Sequence, residues 1–314
     1  MKVAFLFSGQ LRQFSNDLFK KSLSNLTKDL DCSIFSYCWE EEGKSLNHQE
    51  NISETNIILD IKDRINYIFE DENLVKFGIE NFKEFKINLP KKYKEILNSN
   101  KYHFGTVNSL PQIYTLHKCY ELLEESNDHF DLIFRCRFDS IFIHPFKSLP
   151  LKEMINKKYL FHINFGRAYF PNRVYDIFFG GSPQAMKFLK TIWNDIPMLV
   201  NNNYRNGLDK RDCCRLLYIA SNLNSVKVKS INSRICDVYR FGNDEYLKYL
   251  ISSHLISISL NLNNLKILVL IFDWFKKNDL INIKIFLYLI KAFIFLPISY
   301  VKRLIFIRNL LNFY

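Results

Sequence analysis

Residues 131–143 read Asp131-Leu-Ile-Phe-Arg135-Cys-Arg137-Phe-Asp139-Ser-Ile-Phe-Ile143. With a period of two, Leu132, Phe134, Cys136 and Phe138 share one face, and Asp131, Ile133, Arg135, Arg137 and Asp139 share the other. So much apolar surface in one short run predicts a largely buried strand. Arg135, Arg137 and Asp139 then point the same way near its C-terminal end, where open α/β sheets bind their ligands. Two guanidiniums and a carboxylate in a row suit a phosphate-bearing ligand, held directly or through a metal. A plain Arg/Asp ladder on a solvated strand face is the alternative. Because Asp139 falls at a strand end on the polar face, it is expected to serve chemistry and not folding.

Upstream, residues 111–126 predict a helix with Pro111 near its first turn and Ile113, Leu116, Tyr120 and Leu123 on one face. Gln112, Tyr114 and Lys118 lie off that stripe and are candidates to reach a nucleotide, although a solvated face explains Lys118 as well. A helix feeding directly into a buried strand is a βαβ arrangement, which predicts a parallel core. The chain opens with a similar signal: residues 2–7 are a buried first strand that breaks at Ser8-Gly9-Gln10, shortly before Arg12. Such a loop offers backbone N–H groups and an Arg to an anion. With one glycine it is no dinucleotide fingerprint, and a plain turn with a solvated Arg12 remains open.

Between these, a helix is expected over 15–30, with Leu18, Leu23 and Leu26 inward, then strands over 32–39 and 56–60 and helices within 62–100. Downstream, strands are expected over 159–165 and 174–179, a helix over 184–193, and a strand over 226–231 that 234–240 extends. Asp176 stands just before Gly180-Gly181, a pair that lets another backbone or a ligand come close. Asp209 and Asp212 open a further helix that packs Leu216, Leu217 and Ile219. Helix capping is the plainer role for those two acids.

The 314 residues, 48% of them hydrophobic, suffice for one large α/β domain. Seven cysteines with no C-x-x-C spacing suggest reduced core thiols, with neither a disulfide framework nor a zinc site. Lys2 is followed by only five apolar residues before Ser8, too short for a signal peptide, so a cytoplasmic location is expected. Net charge is +11, and from residue 251 onward eight Lys/Arg face two Asp, so +6 of it sits in the most apolar fifth of the chain. Lys284 and Lys291 interrupt the best apolar window, so no spanning helix is expected. At helical spacing these two fall on one stripe, the layout of a helix lying in a membrane interface, although a hairpin packed on the main domain would read alike. Nothing in the sequence has the form of an RNP motif, a zinc finger or an Arg-rich arm, and no nucleic-acid partner is expected.

The ordered set of Phe5-Leu-Phe-Ser-Gly-Gln-Leu-Arg12, the 35–39 strand, Gln112/Tyr114/Lys118, Arg135-x-Arg137-x-Asp139 and the 176–182 turn resembles bacterial glycosyltransferases of surface-polysaccharide synthesis, the WavE-type lipopolysaccharide and capsule family. The resemblance covers roughly residues 1–240. It implies a GT-A-like fold, a Rossmann-type mostly parallel sheet flanked by helices, over residues 1–245. Residues 246–314 then form a helical membrane-association segment outside it. It further implies a nucleotide-sugar donor bound by Ser8, Gly9, Gln10, Arg12, Gln112, Tyr114, Lys118, Arg135 and Arg137. Asp139 takes the place of the metal-contacting acid of an Asp-x-Asp motif, for Mn²⁺ or Mg²⁺. The residue two before it is Arg137, not an acid, which weakens metal dependence without removing it, since Mg²⁺ binds through as few as one or two carboxylates plus substrate phosphates. If no metal is used, Arg12, Arg135 and Arg137 are left to neutralise the leaving diphosphate. Asp176, then Asp209 and Asp212, are the candidate catalytic bases. The acceptor implied is a glycan or lipid-linked glycan at the inner face of the cytoplasmic membrane. Two rivals remain: a sulfotransferase or other phosphonucleotide-dependent transferase, which would want a longer phosphate loop after the first strand, and a non-catalytic membrane-associated scaffold.

Overall fold

The computed structural model describes residues 1–11, 16–40, 61–98, 105–142, 145–156, 158–163, 172–202, 213–231 and 235–238. The strand expected at 56–60, Arg12, Asp209, Asp212 and the basic, apolar tail lie outside them. The first half of the chain lays down β1 (Lys2–Gly9), α1 (Asn16–Thr27), β2 (Asp31–Trp39), α2 (Ile61–Ile68), β3 (Leu74–Glu80), α3 (Phe82–Asn88), α4 (Lys91–Asn98) and the long α5 (Gly105–Glu125). β4 (Leu132–Cys136), β5 (Ser140–Phe142), α6 (Leu151–Met154), β6 (Tyr159–Ile163) and β7 (Phe178–Gly181) follow. The described part then closes with α7 (Pro183–Met186), α8 (Ile192–Asn202), α9 (Cys213–Leu223), β8 (Lys227–Ile231) and β9 (Cys236–Val238).

β1 is apolar on both sides, and that places it centrally. Ala4 and Leu6 enter one core layer, while Val3, Phe5 and Phe7 enter the other. Each of those phenylalanines contributes about 1.5–3 kcal/mol by leaving water. β1 pairs in parallel with β2 on one side and β4 on the other, with Leu6 opposite Arg135. The seven-stranded order is β3-β2-β1-β4-β7-β6-β8, and β7 alone runs against its neighbours. α5, α8 and α9 cover one face, with Ile113, Leu116 and Leu217 inward, and α1 and α2 cover the other through Phe19, Leu23, Leu26 and Ile65. The fold class is therefore the expected one, a mixed α/β domain with a mostly parallel sheet between helices.

Five elements depart from expectation. The strand anticipated over 131–143 ends at Cys136; the chain turns at Phe138–Asp139, and β5 leaves to pair with β9 in a separate two-stranded sheet. Alternate residues of a straight strand stand about 6.6 Å apart. The turn folds Asp139 back so that both its oxygens meet Arg137. Next, the third strand is β3, inside a region expected to be helical. As an edge strand with Val75 and Lys76 exposed, it shows no alternation to read. α5 begins at Gly105, ahead of Pro111, whose missing N–H costs the helix one internal bond while Leu110 and Ile113 stay fully buried beside it. Finally, β7 starts at Phe178, leaving Asp176 in the turn before it, and the helix expected over 184–193 is broken into α7, a 3₁₀ turn and α8.

Gly180 and Gly181 have the close-approach role expected of them. A Cβ at Gly180 would fall on the Ile133 carbonyl oxygen and within 2.5 Å of the Phe134 ring, and one at Gly181 would lie 2.7 Å from the Tyr159 carbonyl oxygen. β7 is thus wedged between β4 and β6 by having no side chains at two successive positions.

Candidate functional site at the β1–β4 switch

Strand order reverses direction between β1 and β4: the chain builds outward from β1 through β2 to β3, then crosses back to β4. In open α/β sheets the crevice beyond the strand ends at such a point is the ligand site. Four buried charged residues meet there. Arg135 is the penultimate residue of β4, on the face of Leu6, Arg137 and Asp139 lie just beyond the strand, and Asp176 arrives from the turn before β7, whose Phe178 pairs with Cys136.

Arg137 is the hub. Its Nε donates to Asp139 Oδ1 at 2.7 Å, its Nη2 to Asp139 Oδ2 at 2.6 Å, and its Nη1 to Asp176 Oδ2 at 3.0 Å. Arg135, which is 1% exposed, donates from Nε to Ser8 Oγ at 3.3 Å and from Nη2 to the Ser8 carbonyl at 3.4 Å. Its Nη1 lies 3.8 Å from Asp176 Oδ2, within ion-pair range, yet makes no hydrogen bond to a described group. Cys214, at the start of α9, adds a thiol donor 3.5 Å from Asp176 Oδ1. The end of β1, the β4 turn, the β7 turn and α9 are all tied to one cluster.

The protonation states follow from this packing. Burial works to lower the Arg137 pKa, but Asp139 and Asp176 together outweigh it and hold the guanidinium above its ordinary value. Burial would raise Asp176, and Arg137 followed by Arg135 more than reverses this, so its carboxyl sits below the usual carboxylate range. Arg135 is lowered by burial, with Asp176 opposing. Asp176 is thus held in its charged form between two buried guanidiniums, and Asp139 is the second acidic partner of Arg137.

The other expected binding residues divide. Ser8 is buried under Arg135, and Gly9 follows at φ +120°, a conformation that L side chains rarely adopt, with open space where a Cβ would stand. Gln10 is half-buried beside it. Tyr114 reaches the strand ends: its ring stacks on Trp39 at 5.8 Å and its hydroxyl donates to Glu80 Oε1 at 3.1 Å. Gln112 is half-buried on the same helix. Lys118 stands one turn further from the strand ends, ion-paired with Glu121. Two participants escaped the sequence reading. Glu80 takes hydroxyl bonds from both Tyr37, at 2.6 Å, and Tyr114, but it ends a strand that periodicity did not reveal. Cys214 reads in sequence only as a core thiol.

The site's fit to a divalent ion can be tested on its donors. Both Asp139 oxygens are taken by Arg137 and the residue is 2% exposed, while a second carboxylate, Asp176, is held by the same guanidinium. No group of three His, Cys, Asp or Glu side chains assembles to hold a metal among the described residues. Among the described residues the donor set does not fit Mn²⁺ or Mg²⁺.

No protein-family model and no curated protein sequence matches the chain. Among solved structures, the crystal structure of mouse xyloside xylosyltransferase 1 in its apo form aligns over 73% of this chain and 84% of its own, with 7% identity and a TM-score of 0.38. The two are remote in both sequence and shape. No helix among the described residues is long and apolar enough to cross a membrane.

Proposed function

We propose that the protein is a glycosyltransferase of GT-A-like build that transfers a sugar from a nucleotide-sugar donor to a lipopolysaccharide or capsular acceptor, glycan or lipid-linked. The observation that carries this reading is the convergence of the Ser8-Gly9 turn with Arg135, Arg137, Asp139 and Asp176 at the switch between β1 and β4. A diphosphate that leaves with a growing negative charge needs fixed positive groups near it. Arg135, whose Nη1 makes no hydrogen bond to a described group, is the guanidinium offered for this, with Arg12 as a further candidate from the loop after β1.

Asp176 is better suited to orienting Arg137 than to acting as base. A base works best with a pKa near the working pH, and the arginines hold Asp176 below the usual carboxylate range. If the reaction inverts, Asp209 and Asp212 are the candidates, since they immediately precede α9, whose Cys214 touches Asp176. The tail from residue 246 is the proposed contact with the inner face of the cytoplasmic membrane, where its Lys and Arg would each add about 1 kcal/mol on anionic lipid.

The test is a thermal-shift panel of UDP, GDP, CDP, ADP and dTDP against their nucleosides, followed by hydrolysis of the matching nucleotide sugar. One diphosphate should raise Tm where its nucleoside does not, because a ligand bound only to the folded state stabilises it. No shift and no hydrolysis with any of them would refute the reading.

A further inference from the structure

Mn²⁺ and Mg²⁺ each need carboxylate oxygens free to turn toward them, Mg²⁺ at about 2.0–2.1 Å with several waters retained. At this site the space between the two carboxylates is already filled by a cation. The planar Arg137 fork gives Nε and Nη2 to Asp139 and Nη1 to Asp176, and so joins a carboxylate of the β4 turn to one of the β7 turn. The contacts to Asp139, at 2.7 and 2.6 Å, are at the short end for charge-assisted bonds. Arginine also keeps its charge at any pH the protein meets.

We propose that the Arg137 guanidinium is the permanent cation of this site, occupying the seat between Asp139 and Asp176, and that the phosphate-bearing ligand binds there without a divalent metal. The inference rests on the reading of the site as a nucleotide diphosphate site. It concerns how the charge there is supplied. Asp139 becomes a positioning residue that fixes the plane of Arg137, and Asp176 fixes its far end.

The experiment is calorimetric titration of the full-length chain with the five nucleoside diphosphates, in excess EDTA and again with Mn²⁺ or Mg²⁺. Binding in EDTA, changed less than about twofold by either metal, is the expected result. Tightening of about tenfold or more by metal would overturn the inference and leave the transferase reading standing. No binding under either condition would take both down. A second arm asks whether the seat is a cation seat at all. Arg137→Ala leaves two carboxylates facing an opened space, so Mn²⁺ should raise the Tm of this variant, or be needed for it to refold, while leaving the parent chain unmoved. Arg137→Lys keeps a positive charge there and should give no Mn²⁺ response. A Mn²⁺ response in the parent chain, or none in Arg137→Ala, would overturn the proposal.

Discussion

Asp139→Asn keeps the side chain's shape and removes its charge, and the structure says what that costs. In sequence Asp139 read as a residue for chemistry alone, whose replacement would leave stability untouched. In the fold it is 2% exposed and both its oxygens accept from Arg137. Removing one partner of a buried ion pair costs about 3–5 kcal/mol, because the remaining charge stays buried without compensation. Arg137 retains Asp176 at 3.0 Å, so the lower end, about 3 kcal/mol, applies here. At about 2–4 °C per kcal/mol for a domain of this size, the expected loss in Tm is about 6–12 °C. Thermal and urea unfolding followed by circular dichroism would measure it. A double-mutant cycle with Arg137→Gln should return a coupling of about 1–3 kcal/mol, the two changes together costing less than their sum. A Tm within about 2 °C of the parent, with no coupling, would mean the Arg137–Asp139 clamp does not form, and the site built on it would fall too.

Gly180→Ala should destabilise by about 3 kcal/mol or more, the upper end for overpacking, since its Cβ would meet rigid β4 backbone and the Phe134 ring; an unchanged urea midpoint would contradict the wedge. His162 is buried, and burial lowers its pKa, so the unfolded chain binds its proton more readily. Stability should therefore be full above pH ~6.5 and fall as pH drops from there toward the depressed folded value, a slope that His162→Gln should flatten. Asp176, lowered by its arginines, should add a second loss at still lower pH as its carboxylate is protonated below the ordinary range, and Asp176→Asn should remove that limb of the stability curve. Of the seven thiols, Cys32 and Cys214 are half-buried and the other five buried, with Cys119 donating to the Phe7 and Phe35 carbonyls. A thiol-disulfide reagent should react quickly with no more than those two in the native chain and with all seven in guanidinium; fast reaction at Cys119 would contradict the packing.

What the sequence disclosed depended on how each residue's surroundings were written locally. β1, β2 and β4 are buried on both faces, so a run of apolar residues announces them without knowledge of their neighbours. α5 carries its core stripe at helical spacing for the same reason. β3 was illegible because an edge strand needs little apolar content, and its identity comes from hydrogen bonds to β2 that no local pattern encodes. In the site, the sequence placed Arg135, Arg137 and Asp139 together and put Asp176 beside a turn of close approach. It could not show that Asp176 meets Arg137 across 39 residues of chain, nor that the guanidinium consumes the carboxylate assigned to a metal. Those are tertiary facts, and they pair Asp139 with Arg137 as a clamp and set Asp176 between Arg137 and Arg135 as a counter-ion.

The central place of β1 has a consequence for how the chain is made. Its partner β4 lies across 129 residues, counted from Lys2 to Asp131 where the two strands begin to meet. During synthesis β1 can pair with β2 early, but its other edge stays open until β4 has left the ribosome. From the end of β2 at Trp39 to the end of β4 at Cys136 is about 100 residues, or about 5–20 s at ordinary elongation rates. For that interval Val-Ala-Phe-Leu-Phe presents an unpaired apolar edge, the kind of segment that seeds association between nascent chains. Yield of soluble protein should therefore rise with slower initiation or added chaperone more than with lower growth temperature alone, because the hazard is set by the spacing of ribosomes on the message.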